Sequence, residues 1–109
     1  SMEQVLKWNP DVIIVNSDTA YAKILSDSTW GQLKAVQNKE VYLVPHGPFS
    51  WFDRPPGVNQ IIGIYWMFSI LYPDQCTNLD LEKKTKEFYS KFIHYDLSDD
   101  EVTALLNPA

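Results

Sequence analysis

The apolar positions of this chain change their period along its length, and each change marks an element. Glu3-Gln4-Val5-Leu6 behind Ser1 predicts a capped helical turn. Asn9-Pro10 ends it, because the residue before a proline avoids the α region. Asp11-Val12-Ile13-Ile14-Val15 is a β-branched run without alternation, the pattern of a strand buried on both faces of a parallel sheet. Asn16-Ser17-Asp18 supplies capping chemistry for a short helix over 19–25. Ser26-Asp27-Ser28 caps another that reaches Ala35, with Trp30, Leu33 and Val36 on one face. Asn38-Lys39-Glu40 turns the chain into a second strand over 41–44.

Beyond that strand the pattern breaks. Residues 45–57 hold four prolines, and Phe49, Trp51, Phe52 and Arg54 stand among them. Prolines keep a loop in one shape at small entropic cost, so the segment reads as a preorganised binding surface rather than as catalytic machinery. A helix over 58–71 follows that is apolar nearly all round, and such a helix is expected inside a protein. Residues 73–78 connect it to an amphipathic helix over 79–92, with Leu81, Phe88, Tyr89 and Phe92 near one stripe. Ser98-Asp99-Asp100-Glu101 has the spacing of a capping box and opens a last helix ending near Asn107-Pro108.

The order strand–helix–strand–helix predicts an α/β fold, a three-layer α/β/α sandwich lobe with a small, mostly parallel sheet. Ligands of such sheets sit beyond the carboxyl ends of the strands. That rule places Asp18, Tyr21, Trp51 and Arg54 near a common rim. Trp8, Trp30 and Trp66 read as core.

Composition narrows the classes. The chain has 109 residues, room for a single domain, and is 45% apolar, enough for a real core. A net charge of −5 and a pI near 4.8 argue against nucleic acid or an anionic membrane as the main partner. The single Cys76 rules out an internal disulfide and a cysteine metal cage. No run approaches the roughly 18 apolar residues of a membrane span. The chain opens almost at once on a helix signal without an export signal, so its start reads as a cut rather than a natural beginning.

Five segments together carry a family resemblance. Residues from Leu6 to Val15, Trp30 to Val36 with Asn38 to Pro45, Trp51-Phe52-Asp53-Arg54, Gly63 to Trp66 with Leu71-Tyr72-Pro73, and Phe88-Tyr89 through the last helix follow in order. They resemble the cobalamin, siderophore and haem (iron-complex) type of ABC-transporter periplasmic substrate-binding proteins. The likeness runs nearly the whole chain but covers only the C-terminal lobe of that family. It implies an absent N-terminal lobe and linker helix, a location in the periplasm or otherwise outside the cytoplasm, by lipid anchor in some settings, and an ABC permease as partner. It also implies a transported ligand that is a metal chelate (ferric siderophore, haem or corrinoid), with no resident cofactor.

By the same resemblance, Arg54 matches an arginine in the cleft of a cobalamin-binding relative. Ser50 stands where that relative has an aspartate, which alters the contact. Glu3 matches a glutamate that docks into an arginine pocket of the permease, a charge-assisted pairing suited to orienting two proteins. Each candidate has a plainer alternative. Arg54 could pair with Asp53. Trp51 is a stacking face for a flat ligand or a lid over the helix that follows. Tyr21 could stack on a ligand, ligate iron, or simply cover its helix. Glu3 could serve only the helix dipole. His46 could bind a metal or be an ordinary polar loop residue.

An enzyme would need a nucleophile with a base, paired carboxylates or a metal cluster. His46 and His94 lie far apart without a motif around either, and Cys76 has no partner in view. The remaining alternative is a stand-alone interaction or homodimerisation module of the same fold, because a lone lobe exposes the surface its partner lobe should cover.

Overall fold

The computed structural model describes residues 1–52 and 57–108. They form two compact units, 1–44 and 45–108.

In the first unit, α1 (Met2–Trp8) starts on Ser1, whose hydroxyl accepts from the Gln4 N–H at 3.4 Å. It stops at Asn9, which enters the left-handed region at φ 43° and donates its N–H to the Val5 carbonyl. Pro10 cannot continue the ladder. Strands β1 (Ile13–Val15) and β2 (Val41–Leu43) pair in parallel with Ile13 opposite Val41 and Val15 opposite Leu43. Parallel neighbours require a crossover. Here it consists of α2 (Asp18–Ser26), a 3-10 turn (Trp30–Gln32) and α3 (Lys34–Gln37). Val15, Ile24 and Val41 are the centre of the unit, with Ile13, Ala20, Tyr21, Trp30 and Val36 packed around them.

The parallel sheet and the α/β class follow the sequence expectation, with the sheet reduced to two three-residue strands among the described residues. The helix expected to reach Ala35 is broken instead. Asp27 Oδ1 accepts from the backbone N–H of Thr29 and Trp30, at 2.8 and 3.4 Å, and so competes with helical pairing. Trp8 is also not core: it is 71% exposed. Helix α1 buries no residue at all, so the tryptophan at its end has nothing to lie beneath.

The second unit holds α4 (Gln60–Leu71), α5 (Leu81–Phe88), a π turn (Tyr89–Ile93) and α6 (Asp99–Leu106). Asp80 caps α5 by accepting from the Lys83 N–H at 3.0 Å. Ser98 and Glu101 form both halves of the expected capping box on α6. Helix α5 packs against α4 and α6. Trp51, Ile62, Trp66, Phe88, Tyr89 and Val102 are buried.

Helix α4 departs from expectation. Ile62, Gly63 and Trp66 face inward, but Ile61, Ile64, Tyr65, Phe68 and Leu71 are exposed. An apolar helix is buried all round only where protein lies on every side, and the described residues cover one side of this one.

Candidate functional site

The proline-rich segment leaves β2 and closes on itself at once. The Trp51 N–H donates to the Pro45 carbonyl and the Gly47 N–H to the Phe49 carbonyl, both at 3.0 Å. His46 and Ser50 face each other in an antiparallel bridge. Gly47 sits at φ +148°, a conformation that residues with a side chain rarely adopt, so the turn requires glycine. Ser50 is buried, and its hydroxyl accepts from the Phe52 N–H at 3.2 Å.

A buried polar cluster anchors the base of this loop. The Trp51 indole is 1% exposed and donates Nε1–H to the Tyr89 hydroxyl at 3.4 Å. That hydroxyl donates to the Gly47 carbonyl and accepts from Asn59 Nδ2 at 3.3 Å. Asn59 is fully buried, and its Nδ2 also donates to the Gly47 carbonyl at 2.9 Å. Its Oδ1 has no partner among the described residues. Burial pushes the Tyr89 phenol up, while the hydrogen bonds from Trp51 and Asn59 pull it down. Apart from Asn59 Oδ1 the side-chain groups of this cluster are hydrogen-bonded, and such bonds hold a buried local geometry. Sequence reasoning missed Asn59 and saw Tyr89 only as packing. An asparagine just before an apolar helix suggests a cap, yet Asn59 makes no capping bond to α4 and turns to the loop instead.

Beside the loop, along α4, runs an open groove of about 530 Å³. Trp51, Phe52, Gln60, Gly63, Ile64, Met67, Phe68, Leu71 and Tyr72 line it. No charged side chain is among them. The Gln60 amide donates Nε2–H to the Phe52 carbonyl at 3.0 Å. Gly63 is where helix and loop come closest. A Cβ there would lie 1.7 Å from the Trp51 carbonyl oxygen.

The structure distributes the sequence candidates as follows. Trp51 and Ser50 lie together, buried, in the loop of the second unit. Arg54, with Asp53, lies outside the described residues. Tyr21 is in α2 of the first unit, half-buried against Val15, Ile24 and Val41. Glu3 is exposed in the first turn of α1. His46 and His94 are exposed, and Cys76 Sγ lies 3.6 Å from the Phe68 carbonyl. The Val44 N–H reaches the Val15 carbonyl at 2.7 Å, so the chain exits both strands at one edge of the sheet. Among the described residues no cluster of three His, Cys, Asp or Glu could hold a metal ion, and no helix is long and apolar enough to cross a membrane. The arrangement offers a held loop, apolar surface and backbone polar groups, which suit binding.

Comparison with known proteins points the same way. Residues 1–47 match the family described as periplasmic binding protein. The molybdate-binding protein MolA of Haemophilus influenzae is 34% identical over 95 residues, which are 84% of this chain and 26% of that protein. Its structure with molybdate bound superposes with a TM-score of 0.70 at 29% identity, over 90% of this chain and 30% of that one. An ABC-transporter solute-binding protein of Sulfurospirillum deleyianum is 43% identical, with a TM-score of 0.90 over 96% of this chain and 32% of its own. Helicobacter pylori CeuE, solved as a nickel–histidine complex, gives a TM-score of 0.66 at 25% identity, over 94% of this chain and 32% of that one. The chain therefore spans about a quarter to a third of the length of the relatives it matches.

Proposed function

We propose, for a chain homologous to part of the ABC-transporter periplasmic solute-binding proteins, that it is the C-terminal lobe of such a protein and captures a solute for an ABC permease outside the cytoplasm. The relatives are solute carriers, which supports capture without chemistry. The loop of residues 45–57 holds the ligand, with Arg54 as its cation, and Glu3 presents the carrier to the permease. A planar guanidinium fork suits an anionic ligand, whether oxyanion or carboxylate-bearing chelate.

Within the class of metal-bearing ligands, the burial of Trp51 carries the choice. An indole that is 1% exposed leaves little face for a haem or corrinoid ring to stack on. That favours a compact metal-bearing anion, and molybdate, named for one relative, is the first probe.

The test uses a full-length carrier in which this chain replaces the matched third of the Sulfurospirillum protein. Calorimetric titration with molybdate is expected to show saturable binding that Arg54→Ala weakens at least about tenfold, as loss of a charge-assisted contact implies. Ferric chelates, haem and a corrinoid are titrated alongside. Binding of one of these with no response to molybdate overturns the choice of ligand. No response to any of them overturns the reading as a carrier of metal-bearing solutes.

A further inference from the structure

Asn59 pairs nothing in the fold that would otherwise be left unpaired. It is fully buried, yet it makes no capping bond to α4. The Gly47 carbonyl that its Nδ2 reaches at 2.9 Å also accepts from the Tyr89 hydroxyl, and that hydroxyl also accepts from the Trp51 indole. Without Asn59 both groups would keep a partner. Its own Oδ1, meanwhile, is buried with no partner among the described residues. An unpaired buried acceptor destabilises a fold, so such a group calls for a reason other than stability.

Two further departures from ordinary geometry meet at the same carbonyl. Gly47 lies at φ +148°, where residues with a side chain are rarely found. Tyr89 opens the π turn (Tyr89–Ile93) that follows α5, a rearrangement of helical pairing common at functional positions. Locally costly features that converge on one point mark a place where geometry outweighs stability. That point is the first turn of the proline-rich loop. Its course is set there, because the Gly47 N–H reaches the Phe49 carbonyl and the Trp51 N–H returns to the Pro45 carbonyl, both at 3.0 Å.

We infer that Asn59 is a positioning residue for solute binding: it clamps the Gly47 carbonyl to the start of α4 and holds the loop in its binding course before a solute arrives. The inference rests on the reading of that loop as the element that holds the ligand, and it is independent of which solute is carried. A protein whose binding-competent state is only partly populated binds more weakly by that fraction. Asn59 therefore acts on affinity more than on stability.

Two measurements test this, with Asn59→Ala set against Ile62→Val, a substitution at a buried α4 side chain that offers the loop no polar group. The first is amide hydrogen exchange in the 109-residue chain and needs no solute. In Asn59→Ala the Gly47 and Trp51 amides are expected to exchange at least about tenfold faster while the α5 amides keep the parent's rates. In Ile62→Val any acceleration should be shared by the loop and α5. Unchanged loop rates in Asn59→Ala, or loop and α5 rates that rise together, would overturn the clamp. The second is titration of the full-length graft with molybdate and the other solutes named above. Asn59→Ala is expected to weaken the bound solute at least about tenfold, as loss of preorganisation implies, and Ile62→Val to leave affinity unchanged. Equal affinity in the parent and Asn59→Ala would overturn the role in binding. A parent graft that binds none of the solutes overturns the carrier reading and the binding role with it, and the exchange rates separate that outcome from failure of the clamp. Should the alanine variant not fold, Asn59→Leu keeps the branching of the side chain without its polar groups and is read in the same way. Failure of both variants to fold would overturn the inference, since Asn59 would then serve stability first.

Discussion

Gly63→Ala is the sharpest perturbation this structure offers. The added Cβ would stand 1.7 Å from the Trp51 carbonyl oxygen, whereas real Cβ contacts essentially never fall below 3.0 Å. Helix and loop must therefore separate by about 1.3–1.7 Å. Neither can give easily. The Gly63 N–H is bonded to the Asn59 carbonyl, Asn59 is bonded to Gly47, and the Trp51 N–H is bonded to the Pro45 carbonyl. Overpacking of this kind costs about 1–3 kcal/mol, and a clash with backbone rather than with a pliable side chain belongs at the upper end. Alanine returns about 1 kcal/mol of helix propensity. The expected net loss is about 1–2 kcal/mol, or a fall of roughly 4–16 °C in Tm for a unit of this size. Urea unfolding followed by circular dichroism and by tryptophan emission measures it, with the m-value held constant as the check on two-state behaviour. Gly31→Ala is the control: its Cβ would meet nothing within 4 Å, so its midpoint should hold or rise slightly. A Gly63→Ala protein as stable as the parent would refute the close approach of α4 to the loop.

The other predictions address the anchor, the surface and one titration. Tyr89→Phe removes the hydroxyl shared by Gly47, Asn59 and Trp51 and should cost about 1–3 kcal/mol, with a shift in Trp51 emission as its indole N–H loses its acceptor; an unchanged emission spectrum would count against the cluster. Trp66→Ala should cost about 3–5 kcal/mol. Trp8→Ala should stay within about 0.5 kcal/mol by the same denaturation assay. The Tyr42 phenol is pushed up to about 12, first by its hydrogen bond to Glu40, then by burial and by the Glu40 charge. A folded pKa above the unfolded one means that the unfolded chain loses its proton first, so this contribution is intact below pH 10 and fades as pH rises from 10 towards 12. In an ultraviolet phenolate titration, Glu40→Gln should bring Tyr42 down towards the other tyrosines.

What was legible in the sequence was local. Ser1, Ser17 and Ser98 cap the helices they were expected to cap, and the Asn9-Pro10 step ends α1. Each is decided within about four residues, where backbone N–H groups and a side-chain oxygen meet whatever the rest of the chain does. The β-branched run over 11–15 likewise reads as a strand of a parallel sheet because its lack of alternation is a property of the run itself. The candidate loop could be located from its prolines and aromatics, though not its internal wiring.

The rest was decided by segments distant in sequence. Tyr89 meets Gly47 and Asn59 meets the loop base across long stretches of chain, and no local pattern encodes that encounter. The four tryptophans make the same point, since one residue type with one hydrophobicity takes opposite places: Trp51 and Trp66 are buried, Trp30 is half-buried and Trp8 is on the surface. Helix α4 shows the limit from the other direction. Its sequence is apolar on nearly every face and so predicts a helix buried all round, which the structure does not show. Only the tertiary structure decided which face this chain buries itself, because burial depends on what lies opposite a residue and not on the residue alone.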